Sequence, residues 1–195
     1  MVVPQDEGRF GRINAPRRCW TPPGERPVAP RQVVREAVYV YAAVCPQLGT
    51  MTALLLPQTN TAMMRLFLAQ VAEDLADYCV VLLVDRAPWH TAKTLVVPDN
   101  IRLLPLPAAS PELHPTALVW RELREKDLPN QAHETLEQVE EVLCTGLHRM
   151  ADPEGLRSLT GFAYLILLYE TQLIITCLQA ALRLPAQCRP PTWAK

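Results

Sequence analysis

The sequence predicts an α/β domain whose mixed sheet is flanked by helices, and three observations lead there. The run Cys79-Val80-Val81-Leu82-Leu83-Val84 is apolar without alternation, as expected of a strand covered on both faces by helices. Before it come two β-branched and aromatic runs separated by a short turn, and after it segments of helical period take over, an order typical of α/β chains. Nineteen prolines against seven glycines in 195 residues fit many short elements punctuated by proline rather than a bundle or coiled coil. With 49% hydrophobic and 20% charged residues, the chain holds enough apolar material for one core, which excludes a disordered segment.

Element by element, Val2-Val3-Pro4-Gln5-Asp6-Glu7 is expected to be a short strand ending in two acids. The Arg- and Pro-studded stretch around Arg17-Arg18-Cys19-Trp20 is a loop or edge ribbon. Residues 33–44 and 51–56 form a hairpin about Gln47-Leu48-Gly49-Thr50. Met64, Phe67, Leu68, Val71 and Leu75 recur at helical spacing, which predicts a helix over 61–77 capped by Thr59, Asn60 or Thr61. Residues 79–84 are then the expected central strand, ending at Asp85, and 101–106 a further strand. Pro115 suits the first turn of a helix running through Trp120, Leu123 and Leu128, because proline lacks only a donor that would be orphaned there. Leu136, Val139, Val142, Leu143 and Leu147 place a further helix over 133–150.

Charge is distributed unevenly. Residues 1–35 carry seven arginines against Asp6, Glu7 and Glu25, a net +4, which leaves −5 for the remainder. Such a basic end suits either an anionic partner or a solvated loop. The six cysteines include no C-x-x-C pair and no secretory leader precedes them, so reduced thiols and a cytoplasmic location are expected. Cys144 and His148 have ligand spacing but no second pair to complete a zinc site. The stretch 163–182 is nearly apolar but interrupted by Glu170 and several amides and hydroxyls, so a buried helix is expected there and not a membrane span.

The candidate chemistry lies in the acids. Asp6 and Asp85 are both expected at strand ends, where sites of open α/β sheets gather, although a strand-end Asp is also a common turn former. If their strands are neighbours, the two carboxylates repel unless a cation or proton sits between them, and magnesium is the natural hard cation for oxygen ligands. His90, close behind Asp85, either assists that site or is a structural histidine. No G-x-S-x-G, phosphate-binding loop, H-E-x-x-H or G-x-G-x-x-G occurs, so the usual support for serine hydrolases, nucleotide hydrolases, zinc proteases and dinucleotide enzymes is missing.

An ordered series of motifs carries a resemblance. It comprises Asp6-Glu7-Gly8-Arg9-Phe10-Gly11, Trp20-Thr21-Pro22-Pro23-Gly24-Glu25-Arg26-Pro27, Val84-Asp85-Arg86-Ala87-Pro88-Trp89-His90 and Val97-Pro98-Asp99-Asn100-Ile101. It continues through Leu106-Pro107-Ala108-Ala109-Ser110-Pro111-Glu112-Leu113-His114-Pro115, Trp120-Arg121-Glu122-Leu123-Arg124-Glu125-Lys126 and Arg157-Ser158-Leu159-Thr160-Gly161-Phe162. The series resembles bacterial insertion-sequence transposases of the mariner superfamily. The resemblance implies a ribonuclease-H-like DDE endonuclease domain over 1–162, shortened at its N-terminus, with an atypical apolar tail over 163–195. It also implies three acids holding two magnesium or manganese ions for DNA strand cleavage and transfer, with DNA as partner.

In that family pattern Asp6 matches the first acid and Asp85 the second. The third stands three residues before the tryptophan, and here that position is Ala117. Glu122 lies five positions on, roughly 140° around a helix, and so faces elsewhere. Glu112 is the other nearby acid, in the preceding loop. Two expectations follow: an impaired nuclease using Asp6 and Asp85, with Arg9, Arg12, Arg17, Arg18, Arg121, Arg124 and Lys126 for phosphates, or an inactive remnant that binds DNA or pairs with itself or an intact transposase.

Overall fold

The computed structural model describes residues 1–14, 16–107 and 114–162; Glu112 and the stretch 163–195 lie outside them. Five strands, β1 (Val2–Ile13), β2 (Val33–Cys45), β3 (Thr50–Leu56), β4 (Val80–Val84) and β5 (Ile101–Pro105), form one sheet in the order β3-β2-β1-β4-β5. The sheet is mixed: β1, β2 and β3 run antiparallel to their neighbours, while β1, β4 and β5 are parallel.

Two apolar layers cover the sheet. Helix α1 (Thr61–Asp74) lays Met64, Phe67, Leu68 and Val71 on one face, against Val3, Tyr41, Leu82 and Ile101. Helices α2 (Thr116–Glu122), α3 (Leu136–Arg149) and α4 (Pro153–Thr160) cover the other with Val119, Trp120, Val139, Leu143 and Leu156, against Phe10, Val38, Val40 and Ala42. The two lists alternate along β2, with Tyr41 and Ala43 on one face and Val40, Ala42 and Val44 on the other, which is the period of two that a strand imposes. Asn60 caps α1 by accepting the Met63 N–H, as residues of its type do.

The hairpin, α1 and β5 stand as the periodicity predicts, and three expectations are corrected. β1 does not stop at its acids: it runs on to Ile13 because β2 pairs with it beyond them, through Phe10↔Val38 and Gly11↔Ala37. Asp6 is therefore a mid-strand residue. β4 is fully buried but not central, since β1 holds the middle of the sheet; an apolar run reports two covered faces and not rank among strands. Pro115 precedes the first helical residue of α2 as its cap, and α2 does not continue regularly to Leu128. It passes at Leu123–Asp127 into a π-helical turn, closed by the Leu128 N–H on the Leu123 carbonyl. Cys19, Cys45 and Cys144 are free thiols among the described residues.

Candidate acidic site

β1 and β4 are adjacent and parallel, paired Val2↔Val81, Val3↔Leu82 and Pro4↔Leu83. The same register carried two residues further sets Asp6 level with Asp85, on strands whose ordinary spacing is about 4.8 Å. The sheet thus sets the backbones of the two acids side by side.

Their environments differ. The Asp6 carboxylate lies beneath α2, where Trp120 Nε1 donates to Oδ2 at 2.9 Å. Burial pushes its pKa above the usual carboxylate range; the Trp120 donor, the nearby His114 ring and the Glu7 backbone N–H pull it part of the way back. Room for this contact comes from Gly8, where a Cβ would stand 2.6 Å from Phe10 Cε2 and 2.8 Å from Trp120 Cδ2. Asp85, just past the end of β4, is half exposed, and its Oδ1 accepts the Ala87 N–H at 2.9 Å.

A third group joins the pair from the α1 side. His90 is buried, with Nε2 2.9 Å from Glu7 Oε1 and Nδ1 hydrogen-bonded to the Asp85 main-chain carbonyl at 3.2 Å and 2.8 Å from Asp85 Oδ1. Burial alone would lower the His90 pKa, but the Glu7 and Asp85 acceptors outweigh it and hold it above the ordinary imidazole value. Glu7 Oε1 also accepts from Gln5 Nε2 at 3.0 Å and Trp89 Nε1 at 3.2 Å. Sequence reasoning left Glu7 without a role and His90 undecided; the available signal was period, since Glu7 takes the opposite face of β1 from Asp6.

The basic residues divide. Arg124, carried by the π-helical turn, lies over the Phe10 ring at 4.8 Å, and its Nη2 reaches the Arg9 carbonyl at 3.4 Å. Burial and the neighbouring Arg17 charge lower the Arg124 pKa, while Asp6 opposes them, so Arg17, Arg124 and Asp6 share one neighbourhood. Arg17 itself is exposed, its backbone held by Asn130. Arg9, Arg18 and Arg121 are exposed as well. Arg12 is committed to Glu36 at 2.7 Å and Lys126 to Glu122 at 2.6 Å, so these two do not join the group.

Ala117 is an exposed residue one helical turn before Trp120, the residue that touches Asp6. Glu122, two positions past Trp120, is paired with Lys126 at 2.6 Å. Among the described residues no three His, Cys, Asp or Glu side chains are grouped to hold a metal ion. Among the described residues, no helix is long and apolar enough to cross a membrane.

Comparison with known proteins gives the family and the fold. Residues 1–140 match the model of the family described as DDE superfamily endonuclease. A protein of Sinorhizobium fredii, "Uncharacterized protein y4pE/y4sA", is 36% identical over 115 residues, covering 58% of this chain and 85% of the relative. Among solved structures, a Mos1 transposase paired-end complex with left transposon end superposes with a TM-score of 0.53 at 21% identity, over 82% of this chain and 54% of that one. A Mos1 mariner paired end complex with Mn gives 0.54 at 18% identity, over 83% and 56%. The chain thus spans about half the length of these solved chains and shares their ribonuclease-H-like fold. With the family model covering more than two thirds of its length, this chain belongs to the DDE superfamily endonucleases.

Proposed function

We propose that this domain is built for transposase-type DNA strand cleavage and strand transfer, with Asp6 and Asp85 as metal ligands, and that Ala117 leaves its activity impaired. The observation that carries this reading is the adjacency of β1 and β4, which sets the two acids level. The Mos1 paired-end complexes named with Mg and with Mn support a divalent ion as cofactor. Such ions, when bound, lower the pKa of an attacking water or 3′-hydroxyl and stabilise the leaving oxygen of an in-line displacement.

The chain's own residues would do the rest. Asp6 and Asp85 hold the cation; Arg17 and Arg124, beside Asp6, take the phosphate, with Arg9, Arg18 and Arg121 along the flank. Two carboxylates fit one ion, and the second ion of the family pattern lacks the side chain that Ala117 does not provide. A reacting group misplaced by about 1 Å costs on the order of 10²-fold in rate. DNA is the partner, and the cytoplasm is the compartment that fits it. Ala117 also favours a second reading, a non-catalytic domain that binds DNA or pairs with its own copies or an intact transposase.

Restoring the acid separates the two. Mn²⁺ titration calorimetry and a supercoiled-DNA nicking assay on wild type, Ala117→Glu, and Ala117→Glu with Asp85→Asn are expected to show a gain of metal affinity and nicking with Ala117→Glu that Asp85→Asn removes. If Ala117→Glu neither binds Mn²⁺ more tightly nor nicks DNA, the catalytic reading fails and the interaction role stands.

A further inference from the structure

Glu7 and His90 are better buried than the acid they serve. Their side chains are 5% and 1% exposed, against 50% for Asp85. A buried ion pair is poor evidence for stability, because desolvation offsets most of its attraction. What such a pair does supply is direction. The His90 ring is a rigid strut, fixed at Nε2 by a carboxylate oxygen that Gln5 and Trp89 also hold, and set edge to face against Trp89 with centroids 5.7 Å apart. Its other end, Nδ1, is hydrogen-bonded to the Asp85 main-chain carbonyl at 3.2 Å and lies 2.8 Å from Asp85 Oδ1, the same carboxylate oxygen that accepts the Ala87 N–H. Both carboxylate contacts fall on one oxygen, which leaves Oδ2 uncommitted to either. Asp85 lies past the last residue of β4, beyond the Val84↔Pro105 pair, where an exposed side chain would otherwise sample several rotamers.

We infer that Glu7 and His90 are positioning residues: anchored on β1, the imidazole locks the Asp85 carboxylate in one rotamer, with Oδ1 held and Oδ2 offered to a ligand. The inference rests on the reading of Asp85 as a metal ligand, for which partners in an outer shell are known to set affinity. It assigns Glu7 no contact with the metal or with DNA.

The test compares wild type with His90→Gln, and with the double variant Glu7→Gln/His90→Gln, in which no carboxylate is left buried without its partner. Thermal unfolding in a chelator identifies the variants that fold. In metal-free protein, three-bond NMR couplings report the Asp85 χ1 rotamer, and calorimetry with Mn²⁺ alone reports affinity. Wild type is expected to hold one Asp85 rotamer and the variants to average over several, with Mn²⁺ affinity reduced on the order of 10- to 100-fold. A single unchanged rotamer in the folded variants overturns the inference, whatever their affinity. If wild type takes up no Mn²⁺, the metal-ligand reading of Asp85 fails by itself, and rotamer averaging in the variants still upholds the lock.

Discussion

Asp6 shows most directly how one residue trades stability for a site. Its carboxyl is taken into the layer beneath α2 with a single indole donor on Oδ2, and burial raises its pKa despite that bond. An acid whose folded pKa exceeds its unfolded value binds more protons folded than unfolded between the two, so stability falls as pH rises through that window. Asp6→Asn keeps an acceptor for Trp120 and has no charge to desolvate. In a chelating buffer its melting temperature is expected to match wild type below the ordinary carboxylate pKa and to exceed it at neutral pH. Parallel melting curves that never separate with pH would refute this account of the site. Gly8, next on the same face, makes a second prediction. Its Cβ-free position admits the Trp120 ring, so Gly8→Ala should shift that ring and cost about 1–3 kcal/mol, the usual range for overpacking. Chemical denaturation followed by tryptophan fluorescence checks both the loss and the displaced indole.

At the scale of elements, the physical signals that period carries were legible and those that depend on partners were not. The helical spacing of Met64, Phe67, Leu68 and Val71 and the alternation along β2 are local properties, and both elements form where the pattern places them. The continuation of β1 past Asp6 is a property of β2, which pairs with it there, and nothing within the polar run Gln5-Asp6-Glu7-Gly8-Arg9 announces it. For the same reason the rank of β4 in the sheet escaped its own composition. The π-helical turn at Leu123–Asp127 has no sequence signature either, yet it carries Arg124 to Phe10 and Asp6. The motif series singles out Asp6 and Asp85, whereas Glu7 and His90 meet only through a contact about eighty residues apart in sequence. A local signal that did hold also sets a local prediction: the Asn60 cap of α1 closes a helix whose apolar face is already paid for by the core. Asn60→Ala is therefore expected to cost about 1 kcal/mol without changing the cooperativity of urea unfolding. A loss of several kcal/mol would mean that the cap also holds the β3–α1 connection.

The whole molecule combines a near-neutral chain with a concentrated basic end, −1 overall but +4 within residues 1–35. Folding then sorts the cations into those paired with a carboxylate and those that are not. Arg12 is spent on Glu36 and Lys126 on Glu122, whereas Arg124, over the Phe10 ring, has its pKa lowered by burial and by the Arg17 charge against the pull of Asp6. Two guanidinium groups held near each other repel, and an anion between them relieves that repulsion. Each phosphate that a protein neutralises steepens the dependence of log affinity on log salt by about 0.9 on duplex DNA. Replacing Arg17 and Arg124 together with Gln should therefore flatten the slope by about two, whereas Arg12→Gln and Lys126→Gln should leave it nearly unchanged. Duplex binding measured by fluorescence anisotropy across a salt series gives both numbers. Equal flattening from either pair would show that DNA senses only the summed charge of the domain; flattening confined to Arg17 and Arg124 would place the phosphate beside Asp6.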